Sequence, residues 1–111
     1  MYKIGRDVTQ DYKKTFAWLT KAADQGYANA QFFLADMYDD GVGVEKDEKK
    51  TIELLQLSAA QGFALAQFFL GKMYIEGKGI EKNETKAVEW YAKAAEQGNV
   101  WAKEALLKLQ K

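Results

Sequence analysis

Apolar and small residues recur along the chain in a helical pattern that is found three times. The pattern i, i+1, i+3, i+4, i+7, i+8 occupies 15–23, again 51–59 and again 87–95. This spacing covers one broad face of an α-helix and does not match the alternation of a strand. Candidate N-caps precede the three segments and glycines follow them: Asp11, Asp47 and Asn83 before, and Gly26, Gly62 and Gly98 after. Both ends and the apolar face therefore predict a helix at each place.

Another helix is predicted ahead of each of the later two segments. Its apolar face is Ala30, Phe33, Leu34, Met37 and Tyr38, and then Ala66, Phe69, Leu70, Met73 and Tyr74. Two glycines separated by one residue follow each of these helices and allow a tight reversal of the chain. We call the helices in this position first helices, and the helices over 15–23, 51–59 and 87–95 second helices.

Equivalent positions are 36 residues apart, and 17 of the 36 positions in 30–65 are identical in 66–101. A period of this length is typical of a solenoid, in which each unit buries its apolar face against its neighbours. We predict an all-α solenoid of antiparallel helix pairs. Its expected parts are a partial unit at 1–26, full units at 27–62 and 63–98, and a C-terminal capping helix at 99–111.

The partial unit is expected to begin near the end of a first helix. Gly5 aligns with Gly41, but Asp7 stands where Gly43 provides the second loop glycine. A loop of a different shape is therefore expected around Gly5.

The spaced residues of the second full unit resemble the Sel1-like repeat family, relatives of the tetratricopeptide repeats. They are Leu70-Gly71, Tyr74, Gly77-Lys78-Gly79-Ile80, Asn83, Lys86-Ala87, Trp90, Lys93-Ala94-Ala95 and Gln97-Gly98. The first full unit departs mildly, with Ala35, Leu54 and Ser58 in place of glycine, tryptophan and alanine. The resemblance covers nearly the whole chain and implies a right-handed α-solenoid that acts as an adaptor or scaffold in protein complexes. It implies no set of functional residues, because the hallmark positions are structural.

Charge and residue inventory narrow the function further. Sixteen basic residues balance sixteen acidic ones without a dense basic cluster, so nucleic acid is not an expected partner. Cysteine and histidine are both absent, which removes thiol nucleophiles and the usual general bases. We therefore expect neither an enzyme nor a cofactor. No apolar run approaches the roughly 20 residues that span a bilayer, so no membrane insertion is expected.

The start of the chain lacks the apolar stretch of a signal peptide. A cytoplasmic location is favoured, and a periplasmic or secreted one stays open if the chain is a fragment of a longer protein.

Two motifs suggest chemistry but favour a structural interpretation. Ser58 is the only serine, at a position that other units fill with alanine, so it is expected to be a small residue at a helix interface. Asp36 and Asp40 with Gly41 resemble part of a calcium loop, but Tyr38 and Asp47 stand where a third ligand and a glutamate belong. No metal site is predicted.

The opposite face of the first helices is the candidate partner-binding surface. If Ala30 and Leu34 face the core, residues 29, 32, 36 and 39 of the same helix point away from it, and so do their equivalents in the other first helices. These candidates are Asn29, Phe32, Asp36, Asp39, Leu65, Phe68, Lys72, Ile75, Trp101, Glu104 and Lys108. In related helical-repeat proteins, these offsets line a concave groove. The alternative is that Phe32, Phe68 and Trp101 pack between layers and that the charged members are ordinary solvated residues.

Three functions follow in order of preference. The first is a non-catalytic interaction module that binds a peptide or helix of another protein on this concave face. The second is self-association through Phe16, Trp18 and Leu19, which an incomplete N-terminal unit leaves partly uncovered, as part of a longer repeat array or as a regulatory domain of a larger protein. The third is a hydrolase that would use Ser58.

Overall fold

The computed structural model describes residues 4–109, with side chains described from Tyr12 onward. Six helices follow one another: α1 (Ile4–Asp24), α2 (Ala28–Asp40), α3 (Glu48–Ala60), α4 (Ala64–Glu76), α5 (Glu84–Glu96) and α6 (Val100–Leu109). No strand lies within residues 4–109, and the predicted all-α repeat is confirmed. Helices α2, α4 and α6 are first helices, whereas α1, α3 and α5 are second helices.

The helix ends have the predicted chemistry in both full units. The Asp47 carboxylate accepts the Lys50 N–H at 3.1 Å, and the Asn83 side-chain oxygen accepts the Lys86 N–H at 3.0 Å. Each cap satisfies one of the amides that the first helical turn leaves unpaired. Gly41 ends α2 with φ 71°, a left-handed conformation that glycine adopts without a steric cost.

The first turns of α1 correct the sequence prediction. A loop was expected around Gly5 and an N-cap at Asp11, but α1 is continuous from Ile4 to Asp24. In the next unit the loop needs two left-handed residues, Gly41 at φ 71° and Gly43 at φ 74°. Asp7 stands in place of the second glycine, and a left-handed backbone is costly for a residue with a Cβ. The chain therefore continues as a helix instead of reversing.

The helices stack in chain order, so that each packs mainly on the one before it and the one after it. Leu70 on α4 is fully buried within a core that extends from α2 to α6. Gly71 lies against Tyr91 of α5, and a Cβ added to Gly71 would be 2.9 Å from the Tyr91 Cδ1 atom. The preceding unit has Ala35 and Leu55 at the equivalent positions. The smaller residue on the first helix, Gly71, thus faces the larger side chain, Tyr91, and the larger residue, Ala35, stands in the unit that has the smaller side chain, Leu55.

Buried glutamines join each unit to the next. The Gln31 side-chain amide donates to the Ala23 carbonyl at 3.3 Å, and the Gln61 amide donates to the Gln31 side-chain oxygen at 2.9 Å. Both Gln31 and its equivalent Gln67 are only 4% exposed. Gln67 repeats the arrangement, because it donates to the Ala59 carbonyl at 3.2 Å and accepts from Gln97 at 3.0 Å. We call these two arrangements the glutamine bridges.

Removing one bridge should destabilise the fold. We expect Gln67→Ala to lower the free energy of unfolding by about 1–3 kcal/mol, because the hydrogen bonds of Gln67 to the Ala59 carbonyl and from the Gln97 amide are lost and a buried space opens. Gln56→Ala is the matched control, since Gln56 is exposed and the next unit has Ala92 there; its effect should stay within about 0.5 kcal/mol. Urea denaturation followed by circular dichroism measures both. Equal effects of the two variants would contradict a stabilising bridge.

The effects of substitutions at Gly71 and Tyr91 on the free energy of unfolding should be coupled. In the wild-type background, Gly71→Ala should cost roughly 1 kcal/mol net, since overpacking of about 1–3 kcal/mol exceeds the helix-propensity gain of about 1 kcal/mol. In a Tyr91→Leu background, which copies the Ala35–Leu55 pair, the same change should stabilise. A double-mutant cycle in urea checks this, and additive effects would show that the ring does not limit the approach.

Candidate functional site

Aromatic rings form a continuous row across the three first helices. Phe33 lies 5.4 Å from Phe32, Phe32 lies 5.6 Å from Phe69, Phe69 lies 5.2 Å from Phe68, and Phe68 lies 6.0 Å from Trp101, as centroid distances. We call these five residues the aromatic row. Its middle is covered, since Phe32 is only 8% exposed and Phe68 and Phe69 are half-buried. Its ends are open, with Phe33 48% exposed and Trp101 57% exposed.

The exposure of Phe33 corrects the sequence prediction, which placed this residue on the core face. Its equivalent Phe69 is half-buried because the Phe32 ring of the preceding first helix covers it. Among the described residues, the ring beside Phe33 is that of its own neighbour Phe32. Phe33 is thus open to solvent, whereas Phe69 has the Phe32 ring of another first helix against it.

Phe32 has the packing role that the sequence left open as an alternative. Its ring contacts Phe63 at 5.4 Å as well as Phe69, and both belong to the following unit. Phe32 thus joins two units and offers little surface to a partner. Phe68 is half-buried, because its ring contacts Tyr91 at 5.7 Å and also Trp101, but part of it remains accessible to a partner.

Three cavities follow the repeat along the same side of the stack. Leu19 lines the cavity between α1 and α2, Leu55 the next one, and Tyr91 the one near α6. These three residues are equivalent in the repeat. We call this side the first-helix groove, with Phe33, Asp36 and Asp40 at its α2 end and Phe68, Lys72, Trp101, Glu104 and Lys108 at its α6 end.

The α6 end unites several of the predicted residues. A cavity of about 230 Å³ is lined by Phe68, Lys72, Tyr91, Trp101, Glu104, Ala105 and Lys108. The Lys72 ammonium also lies 5.9 Å from the centre of the Phe69 ring, in a cation–π arrangement. Lys108, Glu104 and Trp101 are exposed, so apolar surface and charge are both available there.

The α2 end is a wider cavity of about 510 Å³, lined by Tyr12, Thr15, Leu19, Phe33, Asp36, Met37, Asp40 and Val42. Of these residues only Asp36 was among the predicted groove residues. Phe33 and Tyr12 were not predicted for this surface, because helical spacing alone gives no signal that Phe33 is exposed while its equivalent Phe69 is half-buried.

Between these ends the groove is nearly filled. A cavity of about 40 Å³ separates Phe32, Asp36 and Asp39 from α3 and α4. Asp39 lies 3.4 Å from the Lys78 ammonium, which reaches back from the loop of the next unit. This ion pair partly compensates Asp39, so Asp36 and Asp40 are the acidic residues that the α2 end of the groove presents to solvent.

Three predicted residues lie outside these cavities. The Asn29 side-chain oxygen accepts the Ala30 N–H at 2.9 Å at the start of α2. Leu65 and Ile75 are half-buried and pack against the main core. Asn29 therefore pairs a backbone N–H at the start of α2, and Leu65 and Ile75 are packing residues.

The charge at one repeated position changes sign along the groove. Asp36 on α2 is equivalent to Lys72 on α4 and to Lys108 on α6. Partial burial raises the pKa of the Asp36 carboxyl above its ordinary value, and the neighbouring charges of Asp40 and Asp39 raise it further. The α2 end is thus short of positive charge, whereas two lysines stand at the α6 end.

Ser58 is placed for structure. It is fully buried on α3, and its hydroxyl donates to the Ala28 carbonyl at 2.8 Å. The hydroxyl therefore fixes α3 to the start of α2 and is inaccessible to a substrate. Among the side chains of residues 12–109, no three acidic groups converge as metal ligands would. No helix among the described ones is long and apolar enough to cross a bilayer.

Solved structures with the same repeat match this chain closely. A Sel1 repeat protein from Oxalobacter formigenes is 43% identical with a TM-score of 0.81, over 83% of this chain and 69% of that one. A protective antigen of uropathogenic Escherichia coli strains, described as displaying an SLR fold, is 43% identical with a TM-score of 0.81, over 88% of this chain and 21% of that one. Helicobacter pylori cysteine rich protein B is 32% identical with a TM-score of 0.79, over 82% of this chain and 68% of that one.

A comparison with curated proteins gave no match. A family model for the Sel1 repeat matches residues 1–27, 28–63 and 64–99. Sel1 repeats generally mediate protein interactions, and their proteins are typically non-catalytic scaffolds. With three consecutive matches over most of its length and these structural relatives, the chain belongs to the Sel1 repeat family.

Proposed function

We propose that this protein is a non-catalytic interaction module that binds a peptide or a short helix of another protein in the first-helix groove. The observation that carries the proposal is the aromatic row with its two open ends. Phe33 and Trp101 leave about half of their surface in water at opposite ends of the groove. Charged side chains stand beside each of them.

Such an arrangement has the properties of an interaction surface. Buried aromatic anchors surrounded by polar groups provide most of the energy in protein interfaces. Phe32, Phe69 and Phe68 pack between the helices and hold the two exposed rings on rigid elements. A partner would then bury the rings without first ordering the surface, which reduces the entropic cost of binding.

Truncating the anchors should weaken binding. We expect Trp101→Ala to reduce the affinity by 2 kcal/mol or more, about 30-fold, and Phe33→Ala to reduce it less because its ring is smaller. Peptides selected from a random displayed library on the wild-type protein would serve as ligands, with dissociation constants measured by fluorescence anisotropy. Circular dichroism would establish that each variant is folded.

Trp18→Ala is the matched control for Trp101→Ala, because Trp18 is also a tryptophan and is 74% exposed on α1, outside the groove. This variant should bind the selected peptides with wild-type affinity. Undiminished binding by a folded Phe33→Ala, Trp101→Ala double variant would contradict the proposal, as would a selection without any saturable ligand.

A second candidate function is self-association through α1. Its specific support is the open surface around Trp18, where Phe16, Ala17, Thr20 and Lys21 line a cavity of about 560 Å³. The equivalent residue Leu54 packs against a cluster formed by Ala23 of the preceding unit and by Ala30 and Leu34 of its own unit. Trp18 therefore occupies a position that a neighbouring unit covers elsewhere in this chain.

Sedimentation velocity across a concentration series tests self-association. The wild-type protein should sediment faster as its concentration rises, and Trp18→Ala should remain monomeric, because the indole supplies most of the apolar surface of the contact. Leu57→Ala, at an exposed leucine on α3, should behave like the wild type. A wild-type monomer at the highest concentration would exclude this function.

A further inference from the structure

We propose that the partner of the first-helix groove is a dipolar segment, with basic residues at the α2 end, an apolar centre and acidic residues at the α6 end. This inference rests on the proposed function and adds the chemistry and orientation of the ligand. It comes from charges that the repeat places at equivalent positions with opposite sign.

The α2 end calls for a cation. Asp36 and Asp40 are one helical turn apart on α2 and both line the cavity beside Phe33. Asp39 already has Lys78 at 3.4 Å, whereas no comparable ion pair of Asp36 or Asp40 is found among the described side chains. A lysine or arginine bound beside Phe33 would compensate both carboxylates. The raised pKa of Asp36 is consistent with this need, since a nearby cation would lower it again.

The α6 end calls for an anion. Lys72 and Lys108 line one cavity with Trp101, and Glu104 offsets only one of the two positive charges. The chain as a whole is neutral, with 16 basic and 16 acidic residues. The polarity of the groove therefore comes from where charges stand along it and not from an excess of one sign.

The distance between the ends limits the length of the segment. The aromatic row reaches from Phe33 to Trp101 in four ring-to-ring steps of 5.2–6.0 Å, so its two ends lie at most roughly 22 Å apart. An extended chain rises about 3.3 Å per residue, so a segment of about six or seven residues would reach from one charged end to the other. Its central residues would lie over the half-buried rings of Phe69 and Phe68.

Three fluorescein-labelled synthetic peptides with the same Leu-Trp-Leu centre would test the inference. The first has two arginines before the centre and two glutamates after it, the second has arginines on both sides, and the third has glutamates on both sides. We expect the wild-type protein to bind the dipolar peptide roughly 3- to 10-fold more tightly than either of the others, since exposed ion pairs contribute modestly. Higher salt should reduce this preference.

Charge reversal gives a sharper test. Asp36→Lys and Lys72→Asp should each weaken binding of the dipolar peptide roughly 3- to 10-fold, because each reduces the difference in charge between the two ends of the groove. Lys72→Asp should also transfer the preference to the peptide with arginines on both sides, because the α6 end then has a net negative charge, as the α2 end has. Glu53→Lys, at an exposed position of α3 outside the groove, should have no effect.

Equal affinity for the three peptides, the absence of binding by all of them, or an unchanged peptide preference in Lys72→Asp would overturn the inference. The outcome for the proposed function is separate. If Trp101→Ala weakens every peptide while the charge variants change nothing, the groove binds partners but the dipolar chemistry is wrong. If Trp101→Ala and Phe33→Ala also change nothing, both proposals fail.

Discussion

The stack depends on the hydrogen bonds of two buried glutamines. Gln31 and Gln67 lie at the junction of three consecutive helices, where the end of one second helix meets the next first helix. The Ala23 carbonyl in the last turn of α1 accepts the Gly26 N–H at 2.9 Å and also the Gln31 amide at 3.3 Å. The Gln31 side-chain oxygen accepts from Gln61 at the end of the next second helix. Because both ends of a buried amide must be paired to avoid a desolvation cost, this geometry fixes how units follow one another.

Once the units are in this order, identical residues acquire different functions. The Phe-Phe pair occurs in both full units, yet Phe69 is half-covered by Phe32 and Phe33 is open. What differs is the neighbour and not the residue. An aromatic residue of the repeat is part of the core where a preceding first helix covers it, and part of a surface where none does.

The fold could be predicted from the sequence because its signals are local. The helical spacing, the caps at Asp47 and Asn83 and the glycine turns depend only on residues close in the chain. The groove was predicted less completely, because exposure depends on the neighbouring unit. Helix geometry alone shows that Phe32 and Phe33 project from different faces of α2, but it does not show which of the two the adjacent helix covers. The loop expected near Gly5 was wrong, because it was inferred from the alignment of Gly5 with Gly41. The replacement of the second loop glycine by Asp7 has the larger effect on the backbone.

The outer face of α6 shows how one residue can change what a first helix accepts. Position 107 is leucine, whereas the equivalent positions 35 and 71 are alanine and glycine. Because a single Cβ at Gly71 would already lie 2.9 Å from Tyr91, a leucine leaves no room for a second helix packed as α5 packs on α4. Lys103 also replaces the bridging glutamine of the other units, and an exposed lysine cannot accept a hydrogen bond. The capping role of α6 stays a prediction, and both changes are compatible with it. They also leave its groove side, with Trp101, Glu104 and Lys108, as the side that remains compatible with a partner.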